Sequence, residues 1–88
     1  MIQISLENSF SRALKKILKH DTTFEETLKE KLVIFQNDPF DPSLKTHKLS
    51  GKLSEMYSFS VDYDYRIIFY FFQSNAVFID IGKHDDVY

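Results

Sequence analysis

Residues 47–88 read HKLSGKLSEMYSFSVDYDYRIIFYFFQSNAVFIDIGKHDDVY, and this stretch decides the fold. Three apolar-rich runs follow one another in it, at residues 56–61, 65–72 and 76–81. The breaks between them, residues 62–64 and 73–75, are rich in Asp, Ser and Asn, which favour turns. The pattern predicts three antiparallel strands joined by hairpins.

Side chains alternate cleanly in the first run. An alternating strand sends successive side chains to opposite faces of a sheet, so we expect one face to be core and the other wet. The second run is apolar on both faces except at Arg66, as in a central strand with helices over one side. The expected core residues of the first run are Tyr57, Phe59 and Val61, the expected wet residues are Ser58, Ser60 and Asp62, and Phe69 and Phe71 should face inward in the second.

The N-terminal half predicts one strand and two helices. Ile2, Ile4 and Leu6 alternate with polar residues, which indicates a short edge strand. Asn8 or Ser9 can cap the first helix. The apolar stripe of that helix comprises Phe10, Ala13, Leu14, Ile17 and Leu18.

The second helix has its own start and stop patterns. Thr23 is followed three residues later by Glu26, the spacing of a capping box. Residues 37–39, Asn-Asp-Pro, should end the helix. The expected inward residues are Phe24, Leu28, Leu32 and Phe35.

These elements predict an α+β fold with the order β-α-α-β-β-β. The N-terminal helical hairpin would be packed on one face of a four-stranded, mostly antiparallel sheet, in a single domain over residues 1–88. Residues 40–54 form the longest irregular segment, and a connection of that length is uncommon in a small domain unless it has a function.

Composition narrows the class of protein. The chain has 88 residues, nine Phe, five Tyr and no Cys, so an aromatic core without disulfides or thiolate metal sites is expected. No signal peptide or membrane span is recognisable, which predicts a cytoplasmic protein. The three histidines and the acidic pair Asp85-Asp86 show no metal-ligand spacing, so neither metal nor cofactor is expected.

Charge is unevenly distributed. The net charge is −2, whereas proteins that grip nucleic acid by its phosphates are usually basic. Residues 1–52 contain nine basic and seven acidic side chains, and residues 53–88 contain two and six. The positive charge therefore belongs to the helices and the connection rather than to the sheet.

Several short motifs resemble the RelE/ParE superfamily of bacterial toxin-antitoxin toxins. They are Leu49-Ser50-Gly51, the strand Tyr65-Arg66-Ile67-Ile68-Phe69-Tyr70, Ile81-Gly82-Lys83-His84 and the terminal Val87-Tyr88. These motifs span about half of the chain in the order typical of the family, and the helical N-terminal half fits the layout of the same family. The resemblance implies the RelE-like fold and a toxin neutralised by a cognate antitoxin.

The resemblance also implies a reaction and a set of catalytic residues. RNA-cutting members let the 2′-hydroxyl of ribosome-bound mRNA attack the neighbouring phosphate, which needs a base, a cation and an acid. Arg66 is similar to the arginine on the scissile phosphate, and His84 to the leaving-group acid. His47 and Asp64 resemble the acid-base set of the YafQ-type branch, so either could be the base. Tyr88 matches a terminal aromatic that stacks on a base.

Four of these residues also have an ordinary structural explanation. Arg66 could form a surface salt bridge to Asp64 or Asp80, and Asp64 could serve only as a turn residue. His84 could be a solvated histidine, and Tyr88 an unattached chain end.

The chain departs from the family at two positions. The RelE branch has two lysines where this chain has Ser58 and Ser60. The YafQ branch has an aspartate and a histidine there. A lysine-based mechanism is therefore excluded, and weak or lost activity is one of the open alternatives.

Three functions follow from the resemblance: a ribosome-dependent mRNA endoribonuclease, a ParE-type DNA gyrase inhibitor, and an antitoxin-binding module with little catalysis. The endoribonuclease is favoured because Arg66, His84 and Tyr88 should lie near the open face. Expected RNA-binding residues are Lys45, Lys48, Lys52 and Lys83. Expected antitoxin-binding residues are Arg12, Lys15, Lys16 and Lys19, on the basic side of the first helix.

Overall fold

A computed structural model describes residues 1–51 and 55–83 of the chain. Three predicted site residues, Lys52, His84 and Tyr88, and the acidic pair Asp85-Asp86 lie outside these ranges. The elements in chain order are β1 (Gln3–Leu6), α1 (Asn8–His20), α2 (Phe24–Asn37), a short 3₁₀ helix (Pro42–Leu44), β2 (His47–Lys48), β3 (Tyr57–Ser60), β4 (Tyr65–Phe72) and β5 (Asn75–Lys83).

The strands form one mixed sheet in the order β1-β5-β4-β3-β2. Strands β2 to β5 pair antiparallel with their neighbours, and β1 pairs parallel with β5 at the edge. The helices cover one face of this sheet. The predicted α+β class is confirmed, and so is the predicted element order β-α-α-β-β-β, apart from the additional strand β2. The central position predicted for the second apolar run, now β4, is also confirmed.

The sheet has five strands in the described part of the chain, and the predicted number of four is wrong. The additional strand, β2, consists only of His47 and Lys48, which pair with Ser58 and Tyr57. Two residues cannot show an alternating pattern, and they lie between a proline-containing turn and Gly51. The strand therefore forms because its neighbour β3 offers an edge to pair with, which is a tertiary effect.

The core is an aromatic cluster between the helices and the sheet. Phe35 of α2 is fully buried and contacts three phenylalanine rings, with centroid distances of 4.7 Å to Phe59, 5.0 Å to Phe69 and 5.3 Å to Phe78. Phe10 of α1 contacts Phe78 from the other side at 5.4 Å. Helix-to-strand ring contacts of this kind fix both helices on the sheet.

The opposite face of the sheet is less open than the alternating pattern predicted. Ser58 points away from the helices, yet its side chain is completely buried, and its Oγ has no hydrogen-bond partner. Ile68, its cross-strand partner, and Leu49 are buried as well. The expectation of a wet face is therefore wrong at Ser58. The apolar side chains of Ile68 in β4 and of Leu49, which follows β2, share that face and cover it.

Helix α2 begins differently from the predicted capping box. Thr23 precedes the helix, but its side chain does not accept from the helix backbone. Asp21 does this instead, because its Oδ1 accepts from the backbone N–H of Phe24 at 3.2 Å and of Thr23 at 3.1 Å, and from the Thr23 hydroxyl at 2.8 Å. The position of the start was thus predicted correctly and its chemistry was not.

Helix α1 begins at Asn8, and neither of the two predicted caps closes it. Glu7 occupies the N-cap position without a side-chain hydrogen bond. The hydroxyl of Ser9 donates to the carbonyl oxygen of Ile79 at 2.6 Å. Ile79 is the extra residue of a β-bulge in β5, so Ser9 attaches the start of α1 to a point where the sheet is irregular.

No helix in the described residues is both long and apolar enough to cross a membrane.

Candidate functional site: a basic cleft at one end of the sheet

A cleft of about 700 Å³ opens at the end of the sheet where β3 turns into β4. The β3–β4 hairpin, the end of β5, the turn after α2 and one residue of α2 form its walls. Four cationic and two carboxylate side chains line it. The lining residues are Lys31, Ser43, Lys45, Ser60, Val61, Asp62, Tyr63, Asp64, Arg66 and Lys83.

Arg66 is held by the centre of the sheet. It is the second residue of β4 and pairs with Ser60 on one side and with Gly82 on the other. These three residues share the face that the helices leave uncovered. Gly82 has no side chain and Ser60 a short one, so the half-buried Arg66 is the only long side chain of the three at this level of the sheet.

The hairpin between β3 and β4 is fixed by one carboxylate. Asp62 Oδ1 accepts from the backbone N–H of Asp64 at 2.9 Å and of Tyr65 at 2.8 Å, and the N–H of Val61 donates to the Tyr65 carbonyl at 3.0 Å. An aspartate that satisfies turn amides in this way rigidifies the loop. Asp64 and Tyr63 are consequently presented at the rim by a defined turn.

A second aspartate shapes the opposite wall. Asp41 Oδ1 accepts from the Ser43 hydroxyl at 2.7 Å and from the Ser43 backbone N–H at 2.9 Å. These hydrogen bonds favour the carboxylate and hold the pKa of Asp41 below its usual value. Lys45 ends the 3₁₀ helix with φ of 53°, a left-handed conformation that costs a lysine some strain. Strain of this kind concentrates at functional sites.

His47 adjoins the cleft without lining its described part. Its Nδ1 lies 3.1 Å from the Lys45 carbonyl oxygen, and since a carbonyl only accepts, Nδ1 must carry the hydrogen in this contact. In the neutral form of the ring, this tautomer makes Nε2 the acceptor nitrogen. His47 lies on β2, pairs with Ser58 and shares the open face with Arg66. Ser58 comes two residues before Ser60, which pairs with Arg66.

A second groove of about 510 Å³ runs between α1 and the ends of β4 and β5. Lys83 lines both the groove and the cleft, so positive charge is continuous from one to the other. The groove's cationic or histidine side chains are Arg12, Lys16, His20 and Lys83.

The structure brings together some of the predicted site residues and separates others. Asp64, Arg66, Lys45 and Lys83 line one cleft, as their proposed roles require. Lys48 shares the helix-covered face with Tyr57, opposite to His47.

The predicted basic surface of α1 is divided between the groove and the open surface of the helix. Arg12 and Lys16 line the groove, whereas Lys15 and Lys19 are exposed elsewhere on α1.

The cleft also contains two residues, Lys31 and Tyr63, for which the sequence predicted no role in the site. Lys31 belongs to α2, far in sequence from the motifs that predict the site. The sequence pattern predicts only a turn position for Tyr63.

Among the residues that the structure describes, no three His, Asp or Glu side chains are close enough to hold a metal ion.

Two helices on one face of a mixed five-stranded sheet, with a basic cleft at the end of the central strand, form the RelE-like fold that the resemblance predicted. The sequence comparison then gives the family. A family model described as "Bacterial toxin of type II toxin-antitoxin system, YafQ" matches residues 2–88. The chain therefore belongs to the YafQ toxin family.

Solved structures share the fold at low sequence identity. YafQ from E. coli strain BL21(DE3) superimposes with a TM-score of 0.79 at 18% identity, covering 100% of this chain and 99% of that one. YafQ in the E. coli DinJ-YafQ toxin-antitoxin complex gives 0.77 at 20%, covering 99% and 97%. The YoeB/ParE toxin from Agrobacterium tumefaciens gives 0.78 at 15%, covering 94% and 99%. The comparison with curated proteins finds no match.

Proposed function

We propose that this toxin is a ribosome-dependent mRNA endoribonuclease that inhibits translation in the cytoplasm. The observation that carries the proposal is the position of Arg66, at the floor of an open cleft with Lys31, Lys45 and Lys83 around it. A guanidinium can hold two oxygens of one phosphate, and flanking lysines attract the next. The cleft therefore suits the backbone of a single RNA strand.

The proposed reaction is an internal phosphoryl transfer. The 2′-oxygen forms a bond to phosphorus, the bond from phosphorus to the 5′-oxygen breaks, and the products are a 2′,3′-cyclic phosphate and a free 5′-hydroxyl. Arg66 stabilises the extra negative charge of the transition state. Removing one such stabilising group typically costs about 10² to 10³ in rate.

His47 is the residue that we assign as the base. Its Nδ1 contact with the Lys45 carbonyl orients the ring, and its Nε2 would take the 2′-hydroxyl proton. Asp64, at the rim of the same cleft, would then orient the substrate or the histidine. The sequence alone left the two roles interchangeable, and the Lys45 contact favours this assignment.

The acid is assigned from the family resemblance alone. His84 would protonate the leaving 5′-oxygen, and Tyr88 would stack on a base or orient the phosphate. Both lie outside the described residues, so their roles rest on sequence position.

Ser58 and Ser60 contribute differently to this site. Ser60 lines the cleft beside Arg66, whereas Ser58 is completely buried and is not accessible to a substrate. A serine hydroxyl does not ionise near neutral pH, so His47 and Asp64 must do the proton transfer that other members assign to these two positions.

A protein antitoxin is the proposed partner that controls the activity. E. coli YafQ has been solved in complex with DinJ, and by analogy a cognate antitoxin should cover part of this toxin. Arg12 and Lys16 in the groove, with Lys15 and Lys19 beside it, offer a positive surface for an acidic segment. A segment bound in that groove would reach Lys83 and so approach the RNA cleft.

The experiment that tests the function is cleavage of a defined mRNA on purified ribosomes, followed by mapping of the new ends. Cleavage that requires ribosomes and fails in Arg66→Ala supports the proposal. The alternative, gyrase inhibition, predicts intact mRNA and loss of supercoiling activity when gyrase is added. A toxin that does neither but binds its antitoxin would be the binding module.

A further inference from the structure

We propose that Tyr63 is a stacking platform for a nucleobase next to the phosphate held by Arg66. This inference rests on the proposed function and deepens it, because it assigns a base-binding subsite to the RNA cleft. Neither the turn motif nor the family resemblance gave Tyr63 a role.

The first observation is the exposure of the ring. Tyr63 is 99% exposed, more than Met1 at the chain end, which is 91% exposed. Tyr57 in β3 and Tyr65 in β4 are, by contrast, half-buried against the core. Single exposed side chains are common on protein surfaces. The exposure matters here because it leaves an accessible aromatic face in the lining of the cleft.

The second observation is that the ring is presented by a rigid turn. Three backbone groups around Tyr63 are hydrogen-bonded, those of Asp64 and Tyr65 to the Asp62 carboxylate and that of Val61 to the Tyr65 carbonyl. A pre-organised aromatic loses little conformational entropy when it binds. The turn therefore fixes the backbone of Tyr63 at the edge of the cleft, and only the side-chain torsions remain to be ordered when a base binds.

The third observation is the charge beside the ring. Tyr63 lines the same cleft as Arg66, Lys45 and Lys83. Sites for single-stranded nucleic acid combine a cationic groove for the backbone with an aromatic face for a base. Asp62 and Asp64 flank the ring, but the four cationic side chains of the cleft outnumber these two carboxylates, so the surroundings suit the phosphates of an RNA strand whose base stacks on Tyr63.

Stacking has a predictable effect on sequence preference. Every base has a π-face, so the platform tolerates all four, with modest preferences that follow stacking strength. The cleft should therefore prefer purines weakly at this subsite.

Fluorescence gives a direct test, because the chain has no tryptophan. Tyr63→Trp introduces a single indole at the platform. The ligand is a trinucleotide with 2′-O-methyl groups, which cannot be cleaved, and its control is the same molecule with the central base removed. We expect quenching by the first and little by the second.

The matched control is Phe72→Trp. Phe72 is 57% exposed and lies six residues along β4 from Arg66, roughly 20 Å away at strand spacing. An indole there should not respond to either trinucleotide. Equal quenching at both positions would indicate non-specific binding and overturn the proposal.

Substitutions complete the test. Tyr63→Ala should weaken trinucleotide binding about 5- to 150-fold, the range for loss of one stacked base. Tyr63→Phe should retain most of the binding.

The outcomes distinguish the base subsite from the proposed function. Unchanged binding in Tyr63→Ala would refute the platform even if mRNA cleavage remained. Conversely, quenching of Tyr63→Trp in a toxin that cuts no mRNA would reject the proposed function and retain the base subsite. Quenching by the antitoxin and not by RNA would make Tyr63 a partner contact and overturn the inference.

Discussion

Arg66 and Ser60 lie directly opposite each other on neighbouring strands, and both side chains line the basic cleft. The family resemblance places an ionisable side chain at the serine position in other toxins. With a neutral hydroxyl there, Arg66 has no like charge as its cross-strand neighbour on β3. Arg66 is thus the charged member of this cross-strand pair, and the proposed contact with phosphate depends on it.

Arg66→Ala should reduce ribosome-dependent mRNA cleavage by about 10² to 10³. Arg66→Lys keeps the charge but loses the bidentate contact with phosphate, so its activity should lie between those of the wild type and Arg66→Ala. Single-turnover cleavage measures both. Arg12→Ala, in the α1 groove, is the matched control and should cleave normally. If Arg66→Ala keeps full activity while folded, Arg66 has no catalytic role.

Much of the fold could be predicted from local patterns. The three main strands follow from alternation and turn residues, and α1 and α2 follow from their apolar stripes. The patterns could not predict β2, because His47 and Lys48 pair through an edge that another strand supplies. They also could not predict that Ser58 is buried, since this depends on Ile68 and Leu49 sharing its face.

The candidate site could be predicted only in part, because its walls come from distant parts of the chain. The resemblance gave Arg66 and Asp64 from their strand and turn. Lys31 reaches the cleft from α2, and no local pattern distinguishes a lysine that faces a cleft from one that faces open water. Tyr63 shows the same limit, because its exposure depends on a turn geometry that only the structure reveals.

Phe69 and Phe71 form a matched pair for the core. The sequence predicted both to be inward, but Phe69 is fully buried, whereas Phe71 is 36% exposed and packs beside Phe40 and Tyr57. Phe69→Ala should therefore lower the free energy of unfolding by about 3 to 5 kcal/mol. Phe71→Ala should cost about 1 to 2 kcal/mol, since less area is buried. Urea denaturation of the two variants gives the comparison, and equal losses would show that the core is placed incorrectly.

Asp41 should make stability depend on pH through the cleft wall. Hydrogen bonds from Ser43 lower the pKa of Asp41 below 3.8 in the folded protein. The carboxylate therefore stabilises the fold above pH 3.8, and this contribution disappears as the pH falls through the lower folded value. Asp41→Asn retains an acceptor for Ser43 but cannot titrate.

The measurement is urea denaturation of both proteins between pH 6 and pH 3. The difference in stability between wild type and Asp41→Asn should shrink as the pH falls through the acid end of this range. A constant difference would mean that the Ser43 contacts do not favour the charged form. Because other carboxylates titrate equally in both proteins, the comparison isolates Asp41.

Charge reversal on α1 should separate two parts of its basic surface. Lys16 lines the groove that leads to Lys83, whereas Lys15 does not. If an acidic antitoxin segment occupies the groove, Lys16→Glu should weaken antitoxin binding much more than Lys15→Glu. Titration at two salt concentrations should also show a weaker salt dependence for Lys16→Glu, because fewer ion pairs are screened. Equal effects of the two variants would place the antitoxin outside the groove.

His47 and Asp64 are the two candidates for the base, and chemical rescue can distinguish them. His47→Ala removes a group whose Nδ1 faces the Lys45 carbonyl and whose Nε2 would take the 2′-hydroxyl proton. Its cleavage rate should fall by about 10² to 10⁴, the usual contribution of a general base. Added imidazole should restore part of that rate, because it can enter the space and accept the same proton. Asp64→Asn keeps the size of the side chain and should lose less activity, without response to imidazole. If Asp64→Asn is the more damaging change and imidazole does not rescue His47→Ala, the carboxylate is the base and the histidine only orients it.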